Sequence, residues 1–242
     1  MHLVVDLGNT RMKLAIFDED GTMVFKDTRL KRYSRLIQTY LPIQYTITHA
    51  ILCNTSVPDS ALMSHLKSYS NFIHFTHNTS IPISNCYATP ITLGKDRLAA
   101  AVAAHAKFPK HNVLFIDMGT CITTNMITFK GEYLGGNISP GIKMRLKAMH
   151  TFTDKLPLVD IEVPSDNIGN TTVKALQNGG VKGTFREIDS LIEELRHDFG
   201  DFMVILTGGD ANLFENWTKN VIFVAPNLVL EGLNEILKYN VR

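Results

Sequence analysis

The sequence predicts an α/β fold of two similar lobes, each a mixed sheet flanked by helices. Three observations predict it: apolar runs of strand length alternate with helical segments, no Gly-x4-Gly-Lys-Ser/Thr or Gly-x-Gly-x-x-Gly motif is present, and one short pattern occurs twice. The first copy is an apolar, β-branched run at residues 3–7, a turn at Gly8-Asn9-Thr10 and a second run at 13–17. The second copy is a run at 113–116, a turn at Asp117-Met118-Gly119-Thr120 and a run at 122–129. Both are strand, Asp-x-Gly, Thr, strand, and they start 111 positions apart. Duplicated lobes meeting at a cleft are the simplest reading. The lobes expected are 1–108 and 109–242, with the boundary in the stretch 107–112 and no low-complexity linker.

The remaining elements follow in order. After the turn at Asp18-Glu19-Asp20-Gly21 a third strand is expected at 23–29 and a helix at 33–40. Residues 49–53 read as a strand, 59–68 as a helix and 72–75 as a strand. The stretch 81–93 carries Pro82 and Pro90 without a period and reads as a loop. Residues 98–107 are alanine-rich and helical, a pattern of core packing. Past the second hairpin, a strand ends at Gly135-Gly136 and a helix follows Pro140-Gly141. One long helix is expected over 172–197. A strand at 203–206 leads into Thr207-Gly208-Gly209-Asp210, a last strand covers 221–224, and a helix at 228–239 follows Pro226.

Composition bounds the function classes. In 242 residues, 45% are apolar and 19% charged, as in an ordinary soluble enzyme. Lys+Arg is 24 against Asp+Glu 23, so no overall field would gather nucleic acid or an anionic membrane. No apolar run approaches the roughly 20 residues that span a bilayer. An acid, Asp6, interrupts the first apolar run, which is unlike a leader peptide. Cys53, Cys86 and Cys121 are widely spaced, without zinc or redox spacing, and a reducing cytoplasm is the expected setting. The nine histidines show no metal spacing; His74-x-x-His77 lacks a third local ligand and reads as surface or loop chemistry.

The repeated loop suits a phosphate. Glycine allows close backbone approach, and Gly8, Asn9 and Thr10 offer several hydrogen-bond donors in one concavity. Asp6 closes a buried strand, where it could hold Mg²⁺ directly or through water, and Lys13 could lie near the phosphates. A single Asp-x-Gly-Asn is also ordinary hairpin chemistry; two copies in matching contexts favour a nucleotide clamp. Gly208-Gly209, between an apolar strand and a helix, is a weaker phosphate signal of the same kind.

Five segments in order carry a resemblance: Asp6-Leu7-Gly8-Asn9-Thr10-Arg11-Met12-Lys13, Gly94-Lys95-Asp96-Arg97, Asp117-Met118-Gly119-Thr120, Gly135-Gly136-Asn137-Ile138-Ser139-Pro140-Gly141, and Ile168-Gly169-Asn170-Thr171-Thr172. Together they resemble the actin-like (ribonuclease H-like) ATP-binding proteins and, more narrowly, the type III pantothenate kinases, over nearly the whole chain. The resemblance implies transfer of the ATP γ-phosphoryl group to pantothenate, giving 4′-phosphopantothenate, the first intermediate of coenzyme A synthesis. It implies ATP contacts from residues 6–13 and Thr120, and substrate contacts from Gly94, Lys95, Asp96 and Arg97. It also implies a homodimer with substrate near the subunit interface, and a monovalent cation, K⁺ or NH₄⁺, beside Mg²⁺.

Within that resemblance Asp96 is the candidate general base; otherwise it complements the dipole of the helix after it. Arg97 can fork onto the substrate carboxylate, or form a surface ion pair. Tyr87 and Thr172 offer hydroxyls, although Tyr87 could merely pack and Thr172 could be a helix cap. Asp117 is the expected monovalent-cation ligand, or a turn-stabilising acid. The chain departs from the family pattern at Asn125, where many relatives carry an acid, and this puts a metal role there in doubt. The rival readings are a sugar kinase of the same superfamily and a nucleotide-responsive regulator without catalysis.

Overall fold

The computed structural model describes residues 1–8, 11–30, 41–54, 60–218 and 220–241. The strands are β1 (His2–Leu7), β2 (Arg11–Phe17), β3 (Met23–Leu30), β4 (His49–Asn54), β5 (Asn71–His74), β6 (Ser84–Asn85), β7 (Val113–Met118), β8 (Cys121–Ile127), β9 (Glu132–Gly135), β10 (Ile138–Pro140), β11 (Met203–Thr207) and β12 (Phe223–Val224). The helices are α1 (Leu41–Gln44), α2 (Ser60–Tyr69), α3 (Lys95–Lys107), α4 (Ile142–Thr151), α5 (Thr172–Gln177), α6 (Gly183–Phe199), α7 (Ala211–Glu215) and α8 (Leu228–Val241). Asn9, Thr10 and the helix expected at 33–40 lie outside the described residues.

The chain divides into two compact units. The first holds Met1–Pro109, Ile127–Leu134 and Asn227–Arg242; the second holds Lys110–Met126 and Gly135–Pro226. The expected division at 108/109 is a single cut, whereas the compact units interleave. Packing is the reason. Closing helix α8 lies against α3, where a Cβ on Gly232 would sit 1.7 Å from the Ala99 carbonyl oxygen. Only a glycine permits that approach, and the alanine run of α3, buried from Leu98 to Ala104, supplies the matching flat face.

In the first unit the sheet order is β3-β2-β1-β4-β5. β1 pairs antiparallel with β2 and parallel with β4, which is parallel to β5. Period-two alternation sends Leu3, Val5 and Leu7 of β1, with Ala50 and Leu52 of β4, into one apolar core shared with Met12, Leu14, Leu62 and Leu66. Asp6 and Cys53 therefore point to the opposite face. The stretch expected as a loop at 81–93 contains β6 and a single 3₁₀ turn, Pro90–Thr92.

In the second unit the strands run β12-β11-β7-β8, and β10 pairs with β8. Leu114, Ile116, Ile122, Val204 and Leu206 face Leu146, Phe185, Ile188 and Phe214. The helix expected over 172–197 is α5 and α6 joined by a π-helical turn, Asn178–Lys182. A Cβ at Gly180 would meet Leu146 Cδ2 at 2.5 Å, so the glycine lets this turn seat on α4. The last strand shortens to β12 because only Phe223 and Val224 find partners, Ile205 and Leu206, on β11. Among the described residues no helix is long and apolar enough to cross a membrane.

Candidate active site

The first Asp hairpin is built by strand pairing. Asp6 stands opposite Lys13 across the antiparallel β1–β2 pair and beside Cys53 across the parallel β1–β4 pair. Directly opposed residues share one face, so carboxylate and ammonium lie on the same side of the sheet. Asp6 is buried, 6% exposed, and Lys13 is half-buried. The Gly8 N–H donates to the Arg11 carbonyl at 3.0 Å and closes the turn. Leu7 and Met12 point into the core, so their contribution to this loop is packing under it. Arg11 is exposed.

Helix α3 brings the second carboxylate. It begins at Lys95, three residues earlier than the alanine pattern suggests, with Gly94 at the N-cap and Asp96 and Arg97 in its first turn. The Asp96 Oδ1 accepts from the Arg97 N–H at 2.9 Å. A Cβ on Gly94 would lie 2.5 Å from that oxygen, so the glycine leaves the space that the carboxylate uses. The Lys95 side chain, next to Asp96, donates to Asn54, which follows the Cys53 that is in register with Asp6, so the start of α3 meets the strand ends that carry Asp6. Burial drives the Cys53 thiol well above its ordinary range, Asp6 and then Asp96 push it the same way, and the Lys95 ammonium opposes them.

Arg97 is buried, 6% exposed, with its guanidinium carbon 5.8 Å from the centre of the Tyr87 ring. The Tyr87 ring lies 6.4 Å from that of Tyr133, a fully buried residue of β9. Burial lifts the Tyr133 hydroxyl to about 12; the Arg97 charge and a hydrogen bond from Arg97 pull the other way. Arg97 is thus held between two aromatic side chains and is no surface ion pair. Tyr87 is half-buried, and its N–H donates to Asn85 Oδ1 at 3.1 Å. Tyr133 was missed by sequence reasoning: it is an ordinary strand aromatic by pattern, and only the fold puts it on Arg97.

A second group missed in the sequence surrounds Lys95. Its Nζ donates to Asn54 Oδ1 at 3.3 Å, and His74 Nε2 meets the same oxygen at 2.7 Å. Asn54 is the last residue of β4, 3% exposed, and His74 ends the neighbouring β5. His74 is therefore a half-buried hydrogen-bonding group at the end of an edge strand; the loop role expected for it is corrected by its place in the sheet.

The second unit carries the second Asp hairpin. Asp117 lies in β7, partly exposed, in parallel register with Thr207 of β11. Gly119 N–H donates to the Cys121 carbonyl at 3.1 Å, and Gly141 N–H to the Thr120 carbonyl at 3.2 Å. Thr120 is exposed at the tip. Gly208 has φ +94°, and a Cβ there would fall 2.5 Å from both Asp117 Oδ1 and the Met118 carbonyl oxygen. The Gly-Gly loop is therefore moulded on Asp117. Asp210 N–H donates to the Met118 carbonyl at 3.1 Å, and burial raises the Asp210 carboxyl above its ordinary value.

Two of the remaining alternatives close on geometry. Thr172 is not a helix cap: Thr171 takes that place, its hydroxyl accepting from the Lys174 N–H at 3.2 Å, and Thr172 is exposed at the first helical position. Asn125 is 1% exposed and donates through Nδ2 to Thr123 Oγ1 at 3.1 Å and the Phe115 carbonyl at 3.5 Å. A carboxylate has no proton to donate there, so in this chain the amide serves the sheet.

A sequence model of the family described as type III pantothenate kinase matches residues 2–194. A protein of Flavobacterium johnsoniae named type III pantothenate kinase is 39% identical over 245 residues, covering 100% of this chain and 99% of that protein. Among solved structures, a Campylobacter jejuni protein described as a Baf-family transcriptional activator superposes with a TM-score of 0.62 at 23% identity, covering 98% of each chain. A Sinorhizobium meliloti protein described as a 2-dehydro-3-deoxygalactonokinase gives 0.58 at 13% identity, covering 100% of this chain and 99% of the other. At such identities the structures speak for the α/β fold alone.

Proposed function

The chain belongs to the type III pantothenate kinase family, and from that premise we propose how its residues divide the work. The reaction is transfer of the γ-phosphoryl group of ATP to pantothenate, giving 4′-phosphopantothenate, the first step of coenzyme A biosynthesis. Asp96 orients the primary hydroxyl of pantothenate and accepts its proton. The hydroxyl oxygen forms the new bond to the γ-phosphorus while the bond to the β,γ-bridging oxygen breaks, and ADP leaves with that electron pair. Such transfer rests on positioning and charge more than on base strength.

ATP is taken by the first hairpin, residues 6–13, with Thr120 adding a hydroxyl to a phosphate. The ion that accompanies ATP is Mg²⁺. Among the described residues no cluster of three His, Cys, Asp or Glu could hold a metal alone. A single buried carboxylate, Asp6, fits an ion that takes one or two carboxylates and completes its shell with phosphates and water. When bound, it neutralises charge on the β- and γ-phosphates. Asp117 is the residue that would hold K⁺ or NH₄⁺: a partly exposed carboxylate with the Gly208 loop packed against it suits a weakly held monovalent ion.

Arg97 forks onto the pantothenate carboxylate, pre-oriented by Tyr87 and Tyr133. Gly94, Tyr87 and Thr172 complete the substrate contacts, and Lys95 stands next to them at the start of α3. A homodimer is the proposed assembly. Exposed apolar residues support it: Phe152 and Ile168 are each 84% exposed, and Val173 next to Thr172 is also exposed. Sedimentation of the purified protein should give twice the 27.1 kDa chain mass; a monomer at working concentration would remove the proposal.

The observation that carries the catalytic assignment is the hydrogen bond from Lys95, the residue before Asp96, to Asn54, the residue after Cys53, which is in register with Asp6; it brings the start of α3 to the strand ends that carry the nucleotide carboxylate. The test is Asp96→Asn. Phosphorylation of pantothenate should fall by about 10²–10⁴-fold with ATP binding and Tm retained. Near-normal turnover sinks the assignment.

A further inference from the structure

Lys95 occupies an awkward place. It is the first residue of α3, where the helix dipole disfavours a cation. Its side chain is long and flexible and loses rotamer entropy on being held. Yet it is held. The ammonium donates to Asn54 Oδ1 at 3.3 Å, and the same oxygen receives His74 Nε2 at 2.7 Å. A side-chain amide oxygen has two lone pairs and can accept both donors. Since that oxygen only accepts, His74 carries its proton on Nε2. Burial holds the imidazole below its ordinary pKa, and the ammonium groups of Lys95 on α3 and Lys67 on α2 act in the same direction.

The three residues come from three elements. Asn54 ends β4, His74 ends the parallel neighbour β5, and Lys95 begins α3. Their meeting point lies beside the carboxylates assigned to nucleotide and base: Asn54 follows Cys53, which is in register with Asp6, and Lys95 directly precedes Asp96 at the start of α3. A fixed positive charge in that neighbourhood has one evident use in a phosphoryl transfer, namely to meet the charge on the equatorial oxygens of the group in flight.

We propose that Lys95 is a catalytic cation for the transferring phosphoryl group, and that Asn54 and His74 are positioning residues that aim its ammonium. Lys13 on β2 serves the bound nucleotide, whereas Lys95 serves the step. The proposal rests on the reading of Asp96 as base. It gives Lys95 a role distinct from a contact to the pantothenate carboxylate, which Arg97 supplies.

The test is a double-mutant cycle read in kcat and in KM for each substrate, with Tm as a control. Lys95→Met should lower kcat by about 10²-fold, the scale of losing one charge-stabilising donor, with the pantothenate KM little changed. His74→Ala should lower kcat by about tenfold, a fraction of the roughly 10²-fold that misplacing a reacting group can cost. His74→Gln, whose amide N–H can still donate to Asn54, should restore most of that loss. In a Lys95→Met background His74→Ala should have no further effect, since a residue that acts through Lys95 is silent without it. A His74→Ala effect that persists in that background, or a Lys95→Met effect confined to the pantothenate KM, overturns the proposal. Asp96→Asn assayed alongside separates the two ideas: near-normal turnover there defeats the base assignment whatever the cycle shows.

Discussion

The two Asp hairpins share a sequence pattern and differ in their surroundings. Asp6 is buried, faces Lys13 across the strand pair and shares its neighbourhood with Lys95. Asp117 is partly exposed, and residues 117–127 contain no lysine or arginine. The Gly208 loop packs closely on the Asp117 carboxylate. A buried carboxylate opposite an ammonium group suits a polyphosphate and its divalent ion. A partly exposed carboxylate against a backbone loop suits a weakly held monovalent cation. The duplicated motif thus supplies the same acid twice in two settings, which fits the two tasks proposed for it.

The sharpest way to break this contrast is a pair of matched substitutions. Asp6→Asn should reduce turnover by about 10²–10³-fold, the scale of losing a preorganised electrostatic group, and leave any K⁺ or NH₄⁺ stimulation in the residual activity. Asp117→Asn should cost less activity and abolish that stimulation. Titration of both variants with KCl, NH₄Cl and an inert salt decides it; a cation response lost in Asp6→Asn and kept in Asp117→Asn reverses the assignments. A smaller effect is expected from Gly208→Ala. The left-handed backbone and the 2.5 Å approach to Asp117 Oδ1 should lower stability by about 1–3 kcal/mol and blunt the cation response. Gly119→Ala is its control, since a Cβ there would stand 3.5 Å from the same oxygen without a positive φ. Equal Tm losses in the two alanine variants would contradict the moulding of the loop on Asp117.

The smallest expected effect is a pH dependence. The folded-state pKa of Asp210 is raised by burial. A raised carboxyl pKa favours the fold below the unfolded value near 3.8 and withdraws that favour as pH rises through the folded value. At neutral pH the buried charge is therefore a burden, and Asp210→Asn should raise Tm slightly. Below pH about 3.8 the variant and the parent should converge. A Tm gain as large in acid as at neutral pH would show that the burial of charge is not its cause.

Much of the fold was legible because its signals are local. Short continuous apolar runs marked β1, β2, β4, β7 and β11, and the alanine run marked α3. The start of α3 was misjudged because Lys95, Asp96 and Arg97 carry no apolar period; Gly94 as cap, and not the pattern, sets that end. The break at Asn178–Lys182 was hidden because a π-helical turn keeps a helical composition. The site was legible where its residues are consecutive, as in Gly94-Lys95-Asp96-Arg97. It was illegible where partners are distant in sequence. Tyr133 on Arg97, and Asn54 with His74 on Lys95, have no sequence spacing to announce them.

By itself the sequence determined which chemistry is present: two Asp turns, one Asp-Arg pair at a helix start, and enough consecutive motif to identify the reaction. Backbone-level rules suffice for that, since turns, strands and helix starts are decided by neighbours in the chain. Tertiary structure alone decided the setting of each acid. It placed Lys13 opposite Asp6 and the Gly208 loop against Asp117, brought α8 back onto α3 through Gly232, and joined His74 to Lys95 through Asn54. Charge and hydrogen bonding act over a few ångströms of space, and residues close in space need not be close in the chain.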